Sequence, residues 1–96
     1  MSRILVQEFN FYLYDIFSLK EKRRIKNMLM DRVDNKFNVS IIESAEQDNL
    51  DVLAITLAAA CLDEKTAQKQ EQKLREYIEV NMETYSRYID YDFEIL

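Results

Sequence analysis

The 96-residue chain has no glycine, proline, histidine or tryptophan, and only one cysteine. Without glycine, left-handed turn positions fall to Asn and Asp, which tolerate that geometry best among the residues that remain. Without histidine, nothing activates Cys61 as a nucleophile, and a closed zinc site, which takes four N/S ligands, is not expected. Cys61 therefore reads as a small buried hydrophobe. A lone cysteine also excludes an intrachain disulfide, and the N-terminus meets Gln7 and Glu8 after Ile4, Leu5 and Val6, too soon for a secretory signal. The most apolar run, Val52 to Leu62, is interrupted by Thr56 and falls short of the ~20 residues that span a bilayer. The expectation is a cytoplasmic protein in a reducing compartment.

What is present is enough for one domain, expected to occupy residues 1–96. The composition is 48% hydrophobic, and a chain of this length buries roughly 60–65% of its unfolded surface. The net charge is −5 and the isoelectric point is about 4.7, so the molecule as a whole is repelled by nucleic acid. Any nucleic-acid role has to rest on one face.

The charge is unevenly spread. Residues 18 to 36 hold seven Lys/Arg against three acids, a local charge of +4 that leaves −9 for the rest. Ser18 followed by Glu21 has the form of a capping box, with the hydroxyl accepting from the third helical amide and the carboxylate reaching back to the cap. The spacing predicts a helix from Ser18 to about Asn35, with Asn35 as its C-terminal cap. Ile25, Leu29 and Val33 form its apolar stripe, and Lys20, Arg23, Arg24 and Asn27 lie opposite.

Around this helix the pattern alternates. Leu5, Phe9, Phe11 and Leu13 share one parity of a strand over 3–14, and Phe37, Val39 and Ile41 share one parity of a second. Val52 to Leu62 is apolar on both faces, with Ala54, Thr56, Ala58 and Ala60 on the smaller side, as suits a central strand. Asp63 caps a second helix to about Val80, marked by Ala67, Leu74, Tyr77 and Ile78 and by a Glu71–Arg75 i,i+4 pair. Ile89, Tyr91, Phe93 and Ile95 alternate with Asp90, Asp92 and Glu94 in a last strand whose outer face is acidic. The order β-α-β-β-α-β with right-handed crossovers places both helices on one face of a four-stranded antiparallel sheet of spatial order 4-1-3-2. This is the ferredoxin-like α+β sandwich.

Ser18-Leu19-Lys20-Glu21-Lys22-Arg23, Lys36-Phe37-Asn38-Val39-Ser40, Glu43, Gln47-Asp48 and the acidic last strand together resemble the YlxP-like family of small bacterial proteins. The resemblance covers nearly the whole chain. It implies a single ferredoxin-like domain, cytoplasmic, in a family of unknown function often encoded beside translation and ribosome-maturation factors. Members usually have a Pro-Gly bend where this chain has Tyr14-Asp15-Ile16-Phe17, and His where it has Glu46.

For function, Lys20, Arg23, Arg24 and Lys26 are the expected phosphate contacts of a non-catalytic module that binds ribosomal RNA or a ribosome-assembly intermediate. Lys22 lies nearer the sheet. The alternative is a protein-interaction or self-associating domain that uses the open sheet face, where Tyr12 and Tyr88 are expected beside Glu8, Asp90, Asp92 and Glu94. A third class, a small-molecule regulatory domain, requires a pocket between helices and sheet. Glu43, Glu46, Asp48 and Asp51, with Gln47 and Asn49, offer oxygen ligands but lack the glycine and spacing of an EF-hand. They are expected to form a polar hairpin turn, shaped by Asp48 accepting from nearby amides. No cofactor, metal or catalytic residue is expected.

Overall fold

Strict alternation makes the first strand two-faced: Leu5, Gln7, Phe9, Phe11 and Leu13 are all buried, while the residues between them are half-buried or exposed. The computed structural model describes residues 1–96. Its elements run β1 (Arg3–Leu13), α1 (Leu19–Lys36), β2 (Ser40–Ala45), β3 (Val52–Cys61), α2 (Glu64–Met82) and β4 (Ser86–Ile95). The strands pair antiparallel in the order β2-β3-β1-β4, so the two central strands are the expected ones. Both flanks of β3 are paired; its large residues Leu53, Ile55 and Leu57 are buried under the helices, while on the other parity the small Ala58 and Ala60 are half-buried and exposed.

The side chains between sheet and helices form one cluster that includes Phe9 and Phe11 of β1, Ile25 and Leu29 of α1, Leu53 and Ile55 of β3, and Leu74 and Ile78 of α2. At the margin of these layers an open groove of about 470 Å³ lies between Glu76, Glu79 and Val80 of α2 and Arg87, Tyr88 and Ile89 of β4. Asp63 caps α2 as the sequence suggested, accepting from the Thr66 amide at 2.8 Å. The Thr66 side chain first, and then this amide bond, hold its carboxyl below the usual carboxylate range.

Several boundaries differ from expectation for identifiable reasons. Helix α1 continues through Asn35, and its C-cap is Phe37, in extended conformation at φ −127°, with its N–H donating to the Val33 carbonyl at 2.8 Å. The helix therefore ends without a left-handed residue. Phe37 does not open β2: its ring packs edge-on against Tyr77 of α2, with centroids 5.5 Å apart, and pairing with β3 starts at Ser40 opposite Ala58. Helix α2 runs on to Met82, which is buried. Strand β4 begins earlier than Ile89, because a register shift opposite Tyr12 and Leu13 brings Ser86 across from Leu13.

The positive-φ position falls to neither Asn nor Asp. It is Glu46, at φ 58°, a conformation disfavoured for a residue with a Cβ. Its neighbours over-determine it: the Asn49 amide donates to the Glu46 carbonyl at 3.0 Å, and the Asn49 side chain donates to the Glu46 carboxylate at 2.9 Å. Asn49 also accepts from the Asp51 amide at 2.9 Å, the work expected of Asp48. An amide side chain can donate and accept at once, whereas a carboxylate only accepts.

Candidate nucleic-acid interface

One turn of capped helix sets the geometry of the basic face. The Ser18 hydroxyl accepts from the Glu21 amide at 3.1 Å. The cap is one-sided, because the Glu21 carboxylate does not close back onto Ser18 but lines the outer surface. With Ile25, Leu29 and Val33 turned inward and buried, positions three and four residues apart on the far side share one outward stripe. Lys20, Arg23 and Arg24 are exposed there, and none is within ion-pairing distance of a carboxylate. With Ser18, Glu21, Asn27, Met28 and Asp31 they line an open depression of about 740 Å³.

Lys26, expected in the same set, lies elsewhere. It points toward β2, where its ammonium is 3.9 Å from Glu43 and its side chain is only 23% exposed. The structure thus brings together three of the four expected residues.

The residue that sequence reasoning understated is Lys22. Its side chain is 2% exposed, and the ammonium lies 3.3 Å from the Glu43 carboxylate. It also donates to the backbone carbonyls of Glu46 and, at 2.7 Å, of Asn49. Two hydrogen bonds and an ion pair thereby tie one buried cation to the β2–β3 hairpin and satisfy a charge that would otherwise be prohibitive to bury. A partial signal was available: Lys22 shares the inward side of the helix with Ile25, Leu29 and Val33, although helical spacing does not name its partner. Glu43 is that partner, and Glu43, Glu46, Asp48 and Asp51 are not gathered into one group.

A second buried polar cluster was also missed. Gln7 shares the inward parity of β1, and its amide donates to the Glu71 backbone carbonyl at 3.1 Å and to the Tyr91 hydroxyl at 2.8 Å. Tyr91 in turn donates to the Glu71 carboxylate at 2.6 Å, which also accepts from Arg75 at 2.8 Å. Burial first, and then the hydrogen bond to Glu71, raise the Tyr91 phenol well above its usual range. The bond to Glu71 likewise raises the Arg75 guanidinium. The expected Glu71–Arg75 pair is present, then, as part of a larger network.

Cys61 is buried and free, its thiol pushed up first by burial and then by the nearby Asp63 charge. On the open sheet face Tyr12 and Tyr88 pair with ring centroids 5.6 Å apart. Glu8 lies directly opposite Asp92, so that face repels phosphate. No helix is long and apolar enough to cross a membrane.

Comparison with known proteins agrees with this architecture. A family described as "Protein of unknown function (DUF503)" matches residues 4–91. The chain is 37% identical over 67 residues to the uncharacterized protein YlxP of Bacillus subtilis (strain 168), covering 70% of this chain and 73% of that protein. Among solved structures, the de novo designed protein Foldit4 superposes with a TM-score of 0.55 at 10% identity, over 98% of this chain and 97% of its own. A dimeric ferredoxin-like protein of unknown function from Thermobifida fusca YX gives 0.53 at 7% identity, over 97% and 92%. At such identities the structural likenesses concern the fold alone.

Proposed function

The chain belongs to the DUF503 family of proteins of unknown function, and we propose that it is a non-catalytic accessory module whose α1 outer face binds ribosomal RNA or a ribosome-assembly intermediate. One observation carries the reading: Lys20, Arg23 and Arg24 stand exposed on one helix face with no carboxylate partner. They do so in a chain that is otherwise strongly acidic. Cations left unpaired among so many acids attract a polyanion, and their spacing along the helix presents several charges to one phosphate backbone. The ribosomal part of the proposal rests on the family resemblance, and a cytoplasmic location is part of the same proposal. Lys26 contributes less, because Glu43 competes for it.

Co-sedimentation with ribosomal subunits over a salt series tests this. Three phosphate contacts give a log-log slope of about −2 on single strands and about −2.7 on duplex, a loss of roughly 15- to 45-fold between about 50 and about 200 mM salt. Arg23→Glu with Arg24→Glu should abolish association while the domain stays folded. Co-sedimentation of this variant at the wild-type level, or a wild type that shows no salt-sensitive association, refutes the reading.

A second reading, an interaction or self-association domain, is supported by the uncovered sheet face, where Ile4, Ile42 and Tyr88 are exposed. Sedimentation equilibrium on wild type and Ile42→Asp tests it, and a monomer at all concentrations for both removes self-association.

A further inference from the structure

Phe17, the residue immediately before the Ser18 cap, is 83% exposed, more than any other large hydrophobic side chain except the terminal Met1. An apolar residue at that position ordinarily staples onto the residue four places into the helix. Here that residue is Lys22, whose buried ammonium is committed to the β2–β3 hairpin. The connection from β1 is already anchored by Ile16, which packs on the core. The fold therefore makes no use of the Phe17 ring. In the chain it directly precedes Ser18, which lines the same open depression as Lys20, Arg23 and Arg24, so it lies at the margin of that depression rather than in its lining.

An exposed aromatic ring next to unpaired cations is the chemistry that takes an unpaired nucleotide, with the base stacked on the ring and flanking phosphates on the cations. A duplex keeps its bases stacked on one another and offers the ring no partner. We propose that Phe17 is a base-stacking residue and that the ligand of the α1 face is a single-stranded segment of RNA. The proposal rests on the phosphate-binding reading of that face and adds to it which form of RNA is bound. The cations beside the ring favour an anionic ligand over a neutral apolar one.

The test uses the absence of tryptophan from the chain. Phe17→Trp places the sole indole at the site. Its fluorescence is titrated with an unpaired RNA of about twelve nucleotides, within the span of single-strand sites, and with the same sequence as duplex, the same sequence as single-stranded DNA, inorganic polyphosphate, and poly-glutamate. Saturable quenching by the single strand, and by neither the duplex nor the polyphosphate, is the expected result. The DNA arm reads how far the 2′-hydroxyl contributes to that binding.

Phe17→Ala should weaken single-strand binding by about 5- to 150-fold, as expected for loss of one base–aromatic stack, with the salt slope unchanged and Phe17→Tyr retaining most of the affinity. If Phe17→Ala binds single-stranded RNA as wild type does while Arg23→Glu with Arg24→Glu loses it, the stacking role is wrong and the basic-face reading stands. Quenching by poly-glutamate alone, or equal affinity for duplex and single strand, overturns the proposal as well. Absence of salt-sensitive RNA binding by the wild type overturns both.

Discussion

Lys22 and Arg23 are adjacent in the chain and chemically alike, yet one is buried against three oxygen atoms of the β2–β3 hairpin and the other stands free in solvent. A rotation of about 100° per residue separates them. On the inner side of α1, Lys22 and Lys26 converge on Glu43 and fasten the hairpin to the helix. On the outer side, Lys20, Arg23 and Arg24 have no protein partner. The charge a helix carries is therefore not the charge it offers to a ligand, and burial decides the difference.

Breaking the inner side should have the largest effect on stability. Lys22→Met leaves two hairpin carbonyls unpaired and Glu43 with only the longer contact to the partly exposed Lys26, and should cost about 3–5 kcal/mol, read from denaturant midpoints. Lys22→Met combined with Glu43→Leu removes the stranded charge and should recover part of that loss, with the remainder reporting the unpaired hairpin carbonyls. A Lys22→Met variant within about 0.5 kcal/mol of wild type contradicts the clamp.

The Gln7–Tyr91–Glu71 network should come next. Tyr91→Phe removes the hydroxyl that links Gln7 to Glu71 and should cost about 1–3 kcal/mol near neutral pH. The phenol's proton is held more tightly folded than unfolded. Its contribution is therefore complete below the ordinary tyrosine pKa of about 10 and is lost as pH rises above it. Wild type should lose stability more steeply than Tyr91→Phe in that alkaline range, and parallel curves contradict the buried hydrogen bond.

The smallest effect on stability belongs to the outer side. Replacing Lys20, Arg23 and Arg24 together by Gln should shift stability by no more than about 0.5 kcal/mol, since none of them has a partner to lose. The same variant should lose salt-sensitive RNA binding. A large destabilisation would mean that these side chains support the fold and that the contrast between the two sides is false.

Much of this was legible in the residues. Ser18 and Asp63 announce both helix starts, because each side chain satisfies an amide only a few residues away. Ile25, Leu29 and Val33 mark the inner side of α1, β1 alternates along its length, and β3 is apolar on both parities. Lys20, Arg23 and Arg24 could be placed outward from helical spacing alone. Asn35 misled because α1 ends on Phe37 in extended conformation, with no left-handed residue to supply, and Asp48 misled because Asn49 makes the hydrogen bonds of the turn around Glu46.

The sequence by itself determined the elements, their order and the free cations of α1, all of which depend on periods and caps a few residues long. Only the tertiary structure decided the fate of Lys22 and Lys26 and the partners of Gln7. Glu43 is seventeen or more residues from its lysines, and Tyr91 and Glu71 are 84 and 64 residues from Gln7. Such partners are chosen by strand register and by where a helix lies on the sheet. Local spacing carries no record of either, because a helix or strand repeats the same geometry whatever it is packed against.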